Sequence, residues 1–193
     1  MFEMSRTFPA AVLAVLLAGQ LTFATVTVPT EFREIVSEAT LIVRGHITEV
    51  RPVVAPGRGV ESIGTIGVDS VLKGQAGDFI SIRVPGGVVG RYRWVMVAAP
   101  SLRAGDQGVF FVKHDRENAW RPVGLAMGIY RIQVAPVTGL PVVEPPLVAG
   151  ETAATGLVIR GDPKRHLMAV REFESLVRVV IASQSVQRQR INR

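Results

Sequence analysis

The chain has 193 residues and no cysteine, with 22 basic and 16 acidic side chains for a net charge of +6. That length fits one domain able to bury a core without covalent staples. The missing cysteine excludes thiol catalysis and lipid attachment through sulfur, and argues against a small animal-type secreted module, which usually leans on disulfides.

Residues 1–24 read as a secretory signal: Arg6 supplies the positive start, AAVLAVLL the apolar stretch, and LTFA a small residue at the end, with cleavage expected after Ala24. The apolar run is well short of the ~20 residues that span a bilayer, so no membrane anchor is expected once the leader is removed. The leader carries one acid, Glu3, and one base, Arg6, so the charge of +6 survives cleavage. A secreted or periplasmic location follows, and the excess of arginine over lysine fits a GC-rich bacterial source.

In TVTVPTEFREIVSEA the spacing predicts a short helix over 30–38, with Thr30 as cap, Glu31 and Glu34 in the first turn, and Phe32, Ile35 and Val36 on one face. ATLIVRGHITEV predicts a strand over 39–50 that buries Leu41, Val43, Gly45 and Ile47. A Pro/Gly loop leads to a second strand over 62–73, where Gly64 and Gly67 suggest a bulge or a sharp bend.

The run VLKGQAGDFISIRVPGG raises a sharper possibility, a phosphate-cradling loop. Such a loop needs a helix to begin at the glycines so that free N–H groups converge on the anion. FISIRV alternates as a strand over 79–84 instead, and GQAGD has the residues of a hairpin turn. Pro85, Gly86 and Gly87 then end the strand.

Within YRWVMVA, DQGVFFVKH and GIYRIQVA further strands are expected over 93–98, 107–114 and 128–135, HDRENAW reads as an exposed stretch before the last of them, and LPVVEPPLV is at best an edge strand. From Asp162 as cap and Pro163 at the first helical position, a helix is expected over 163–182. Leu167, Val170, Phe173 or Glu174, Val177 and Val180 or Ile181 form its stripe. Residues 183–193 form a basic flexible tail. The expected whole is a mainly β domain over 25–182, a five- to six-stranded antiparallel barrel of the oligonucleotide/oligosaccharide-binding (OB) type, with both helices packed outside.

No constellation in the sequence asks for catalysis, a cofactor or a metal. His46, His114 and His166 fall in three distant elements without a second ligand at metal spacing. No serine stands in a GxSxG elbow. A hydrolase would need a site assembled from distant residues. The best candidate surface is an arginine/aromatic face of Arg83, Arg91, Tyr92, Arg93, Trp94 and Arg103, the mixture that holds anions and stacks on flat rings.

EFREIVSEATLIVRGHITEV, IGTIGVDSVLKG and APSLRAGDQGVFFVKHD together resemble uncharacterised exported bacterial proteins whose core pattern is similar to netrin and metalloproteinase-inhibitor modules. The resemblance covers residues 30–135 and implies an OB-type barrel. The animal inhibitors hold a protease zinc through an N-terminal cysteine, which this chain lacks, so that mechanism does not carry over. The expected role is an exported, non-catalytic, monomeric module that binds an extracytoplasmic protein or glycan. A polyanion binder is the alternative on the same face, with nucleic acid the less expected polyanion outside the cell.

Overall fold

The computed structural model describes residues 32–57, 59–146, 148–152, 156–160 and 166–191, with backbone alone for 148–152, 156–160 and 188–191. The leader expected over 1–24, Thr30, Asp162 and Pro163 lie outside the described residues.

Helix α1 (Phe32–Glu38) buries Ile35 and Val36. Its C-terminal carbonyls are capped from a distance. Lys73 Nζ donates to the carbonyl oxygens of Val36 at 2.7 Å and Ser37 at 3.4 Å, satisfying acceptors that a helix end leaves open. The lysine of VLKG therefore serves the fold. After it, β2 (Gly59–Lys73) turns through 74–78 into β3 (Phe79–Pro85), and the two pair antiparallel. The hairpin reading of GQAGD holds.

Before them, β1 (Leu41–Ala55) pairs antiparallel with β2 over its whole length and with β6 (Gln107–His114) over Leu41 to His46. The β1–β2 register shifts at Ile42/Val43, Arg44/Gly45 and Ile47/Glu49, not at Gly64 and Gly67 as expected. Those two glycines give room instead. A Cβ on Gly67 would lie 2.9 Å from the His46 ring, and one on Gly64 would lie 2.7 Å from Leu102 Cδ1.

The sheet continues through β7 (Trp120–Pro122), β8 (Ile129–Val134), β9 (Pro141–Glu144) and β12 (Met168–Ala169) in the order β1-β2-β3-β7-β6-β8-β9-β12. Two small sheets stand apart, β4 (Gly87–Val89) with β5 (Tyr92–Trp94) and β10 (Val148–Thr152) with β11 (Gly156–Arg160). The chain is thus mainly β, but its large sheet is mixed and eight-stranded rather than a five- to six-stranded antiparallel barrel. It curls, since β1 pairs on both edges. It does not close into a barrel, because β3 and β7 meet only through the parallel pair Ile82 and Trp120.

Three segments account for the difference. YRWVMVA, expected as a barrel strand, leaves the large sheet: only Tyr92–Trp94 is strand, and it pairs with β4. HDRENAW, expected as an exposed stretch, leaves the sheet after His114 and returns to it at its last residue, Trp120, where the unforeseen β7 begins. LPVVEPPLV supplies β9, which pairs on both sides.

The curled sheet has two apolar faces. Inside the curl lie Leu41, Val43, Ile47, Ile66, Ile80, Ile82, Val84, Phe110, Val112 and Ile129. On the other face Ile42, Val109, Phe111, Tyr130 and Val143 pack against α1 and against Phe173, Val177 and Val180 of α2 (Val170–Ile191). Both Phe110 and Phe111 are buried, one in each core. The expected helix stripe is right from Phe173 to Val180. Its start is later than predicted, because Met168 and Ala169 pair with Val143 and Val142 of β9 and Leu167 is exposed. Its end is also later: helical backbone runs to Ile191 through the segment expected as a flexible tail. No described helix is long and apolar enough to cross a membrane.

Candidate binding surface

Gly86 and Gly87 follow β3 at φ 101 and 152, angles that let the chain turn out of the sheet. The root is tied to β2: the Gly86 N–H donates to Val60 O at 2.8 Å, and Ser62 Oγ donates to Gly86 O at 2.8 Å. From there β4 and β5 form a hairpin with Val88 opposite Arg93 and Val89 opposite Tyr92. Strand alternation sends Tyr92 and Trp94 to one face and Arg93 to the other.

Trp94 turns back toward the body of the molecule. A Cβ on Gly59, which sits at φ 79, would come within 2.6 Å of the indole ring; the missing side chain is what lets the ring lie against the β1–β2 turn. The indole nevertheless stays 48% exposed. It separates two clefts. One, of about 480 Å³, is lined by Glu61, Arg83, Trp94, Met96, Arg121 and Pro122. The other, of about 240 Å³, is lined by Ser62, Gly87, Arg93, Trp94 and Leu102.

The floor of the larger cleft is an ion-pair chain. Arg121 Nη2 donates to Glu61 Oε1 at 2.8 Å, and Arg121 Nε donates to Asp115 Oδ2 at 2.5 Å. Asp115 Oδ1 accepts from the backbone N–H groups of Glu117 and Ala119. The Arg121 guanidinium first, and then the Ala119 N–H, hold the Asp115 carboxyl down at about 2 against an ordinary 3.8. Glu61 is only 2% exposed. Burial works against the charge of Arg121, but its bonds to Asp115 and Glu61 outweigh that and push its pKa up.

Past the hairpin, Val95, Met96 and Val97 stand in solvent, as do Tyr92 and Val88. Beyond them the loop is anchored. The Ala126 N–H donates to Ala98 O, Leu102 packs over Gly64, and Arg131 bonds both Ser101 O and Asp106 Oδ2. An apolar segment is thus presented on a fixed base.

The candidate face is divided by this arrangement. Arg83 and Trp94 share the larger cleft, Arg93 and Trp94 the smaller one, and the Arg91 guanidinium lies 5.6 Å from the centre of the Tyr92 ring. Arg103 lines neither cleft; its backbone N–H bonds Asp106 Oδ2. Comparison of the chain with protein-family models and with curated proteins finds no match. The histidines stay apart. His46 Nδ1 lies 3.3 Å from Asp69 Oδ1 on an exposed face, His114 stacks on Trp120 with ring centres 3.5 Å apart, and His166 borders a groove beside Phe173. Among the described residues no group of three His, Asp or Glu side chains converges to hold a metal.

Sequence reasoning missed Glu61 and Arg121. They are 60 residues apart, and nothing in VESIG or AWRPV marks either one. Their pairing exists only because β3 brings β2 and β7 together.

Proposed function

We propose that the chain is an exported, non-catalytic binding module whose contact surface is the β4–β5 hairpin with the segment that follows it. The observation that carries this reading is the unbroken exposure of residues 91–97, which include Tyr92, Trp94, Val95, Met96 and Val97. Aromatic rings, methionine and arginine are the side chains enriched at contact surfaces, and contiguous exposed apolar area marks a surface with a partner. The anchoring of the hairpin at Gly59, Val60 and Ser62 supports it further, since a contact loop on a rigid base loses little freedom on binding.

The finer fold reading is OB-like. Its support is the strand sequence β1-β2-β3-β7-β6, with β6 returning to β1 and β3 parallel to β7. OB barrels are partly open, and they bind ligands across their second and third strands and the adjoining loops. The larger cleft has that setting: Glu61 on β2, Arg83 on β3, Gly57 in the β1–β2 turn and Gly59 at the start of β2. The netrin-like resemblance agrees with this architecture and supplies no site residue.

A photo-reactive amino acid placed at Val95, and separately at Val137 in the β8–β9 turn, tests the contact surface in the native cell. Val137 is 96% exposed and lines neither of the two clefts beside the hairpin. Cross-linked product at Val95 and none at Val137 is the expected result: a discrete heavier band for a protein partner, a smear for a glycan. The same outcome at both positions, or no product at Val95, overturns the proposal.

A further inference from the structure

Resting on that reading of the hairpin, we infer that the cleft between Trp94 and Arg83 is a subsite for an acidic sugar, a uronate residue of a glycan chain. The ring would lie on the indole and its carboxylate on the Arg83 guanidinium.

Four features lead there. The first is the platform: Gly59 supports the Trp94 indole from beneath while almost half of its surface remains open. A flat, apolar, pre-positioned ring suits the C–H face of a pyranose. The second is the free cation. Glu61 and Asp115 both bind Arg121, whereas Arg83 makes no ion pair or hydrogen bond with any described residue. A planar guanidinium is built to take a carboxylate through two parallel bonds.

The third feature is the single stacking ring. Single-strand nucleic-acid surfaces stack successive bases on several rings, while here Tyr92 already carries Arg91 and a single indole faces the cleft. The fourth is continuation. Arg93 lines the small cleft on the other side of Trp94, so a second acidic ring one unit along the chain would meet a second cation. The larger cleft, at about 480 Å³, is of the size that commonly holds small organic ligands, about 300–1,000 Å³.

The test titrates the full chain with tetragalacturonate, with maltotetraose as a neutral sugar and with an oligothymidylate, at about 0.15 M salt, where scattered surface charges are screened beyond about 8 Å. Calorimetry reads affinity. Tetragalacturonate should bind saturably, and maltotetraose at least about tenfold more weakly, the equivalent of losing one good contact. Trp94→Ala and Arg83→Gln should each weaken tetragalacturonate by about tenfold or more. Trp94→Tyr, which keeps a ring, should retain most of the affinity. Arg171→Gln, on the exposed side of α2, should match the wild type. Circular dichroism melts of each variant establish that the fold is intact.

Tighter binding of the oligothymidylate, or equal binding of the neutral and acidic sugars, overturns the inference. So does tetragalacturonate binding that is insensitive to both cleft variants. If no probe binds, the subsite is discarded, and the cross-link at Val95 then decides the broader reading: a discrete protein adduct there keeps the module and replaces the glycan, and its absence removes both.

Discussion

Phe173 stands among Phe32, Phe111 and Tyr130, with ring centres 4.9–6.4 Å away and mostly tilted or edge-on geometry. These four rings join both helices to the sheet, so truncating one leaves a hole that neighbours held by strand and helix cannot fill. Phe173→Ala should lower unfolding free energy by about 3–5 kcal/mol in urea titrations; a loss below about 1 kcal/mol would mean that the ring is not packed as described. Asp115 makes a different prediction. Its carboxyl is depressed to about 2 in the folded chain from 3.8, so the stability it contributes is fully present above about pH 4 and is lost as pH falls toward 2. Thermal melts of wild type and Asp115→Asn should therefore differ at neutral pH and converge in that acid window. A gap that is constant across pH would show that the Arg121 contact does not act through charge. At this scale the sequence was informative about apolar residues and nearly silent about polar ones: periodicity left the packed position to Phe173 or Glu174, but Lys73, which looks like an anion ligand, caps a helix 37 residues away, and Arg121 finds Glu61 only through the fold.

The β4–β5 hairpin is the element that alternation alone misplaces. YRWVMVA has the composition of a buried strand, and nothing within it records whether a partner strand will be available. The deciding residues lie upstream, where Pro85 ends the β3 ladder and Gly86 and Gly87 admit backbone angles that carry the chain away. The hairpin is then kept in place by few contacts, the Gly86 to Val60 bond, the Ser62 to Gly86 bond and the indole on Gly59. Gly59→Ala strikes two of its conditions together: alanine at φ 79 is strained by about 1–3 kcal/mol, and its Cβ would displace the indole from the turn. The expected result is faster trypsin cleavage after Arg91 and Arg93 with the rest of the domain still folded. Cleavage at the wild-type rate would mean that Trp94 does not anchor the hairpin. The same contrast explains the C-terminal helix. Its stripe was legible because Phe173, Val177 and Val180 follow helical spacing, whereas its start depended on β9 being present to pair with Met168.

Across the whole molecule, the consecutive apolar runs LIV in β1 and VFFV in β6 carry the information that alternation analysis discards. A strand buried on one face alternates, and a strand buried on both reads as a continuous apolar run. Leu41, Val43, Phe110 and Val112 fill the curl while Ile42, Val109 and Phe111 lie under the helices. Since β1 and β6 pair with each other through Leu41–Val112, Ile42–Phe111 and Val43–Phe110, neither core can be lost while the other keeps its backbone. The two cores should therefore unfold as one cooperative unit, in spite of the absence of a closed barrel. Ile82→Val probes the inner core and Ile42→Val the outer one, each with an expected cost of about 0.5–1.5 kcal/mol. In a Trp94→Phe background, Trp120 is the remaining indole and packs against the inner core, while ellipticity at helical wavelengths reports α2 on the outer one. Either substitution should shift the urea midpoint of both signals equally, because a single transition is read from two sides. If Ile42→Val moved the helical signal and left the Trp120 signal in place, the helices would be a separately melting layer, and the curled sheet would be the unit that folds alone.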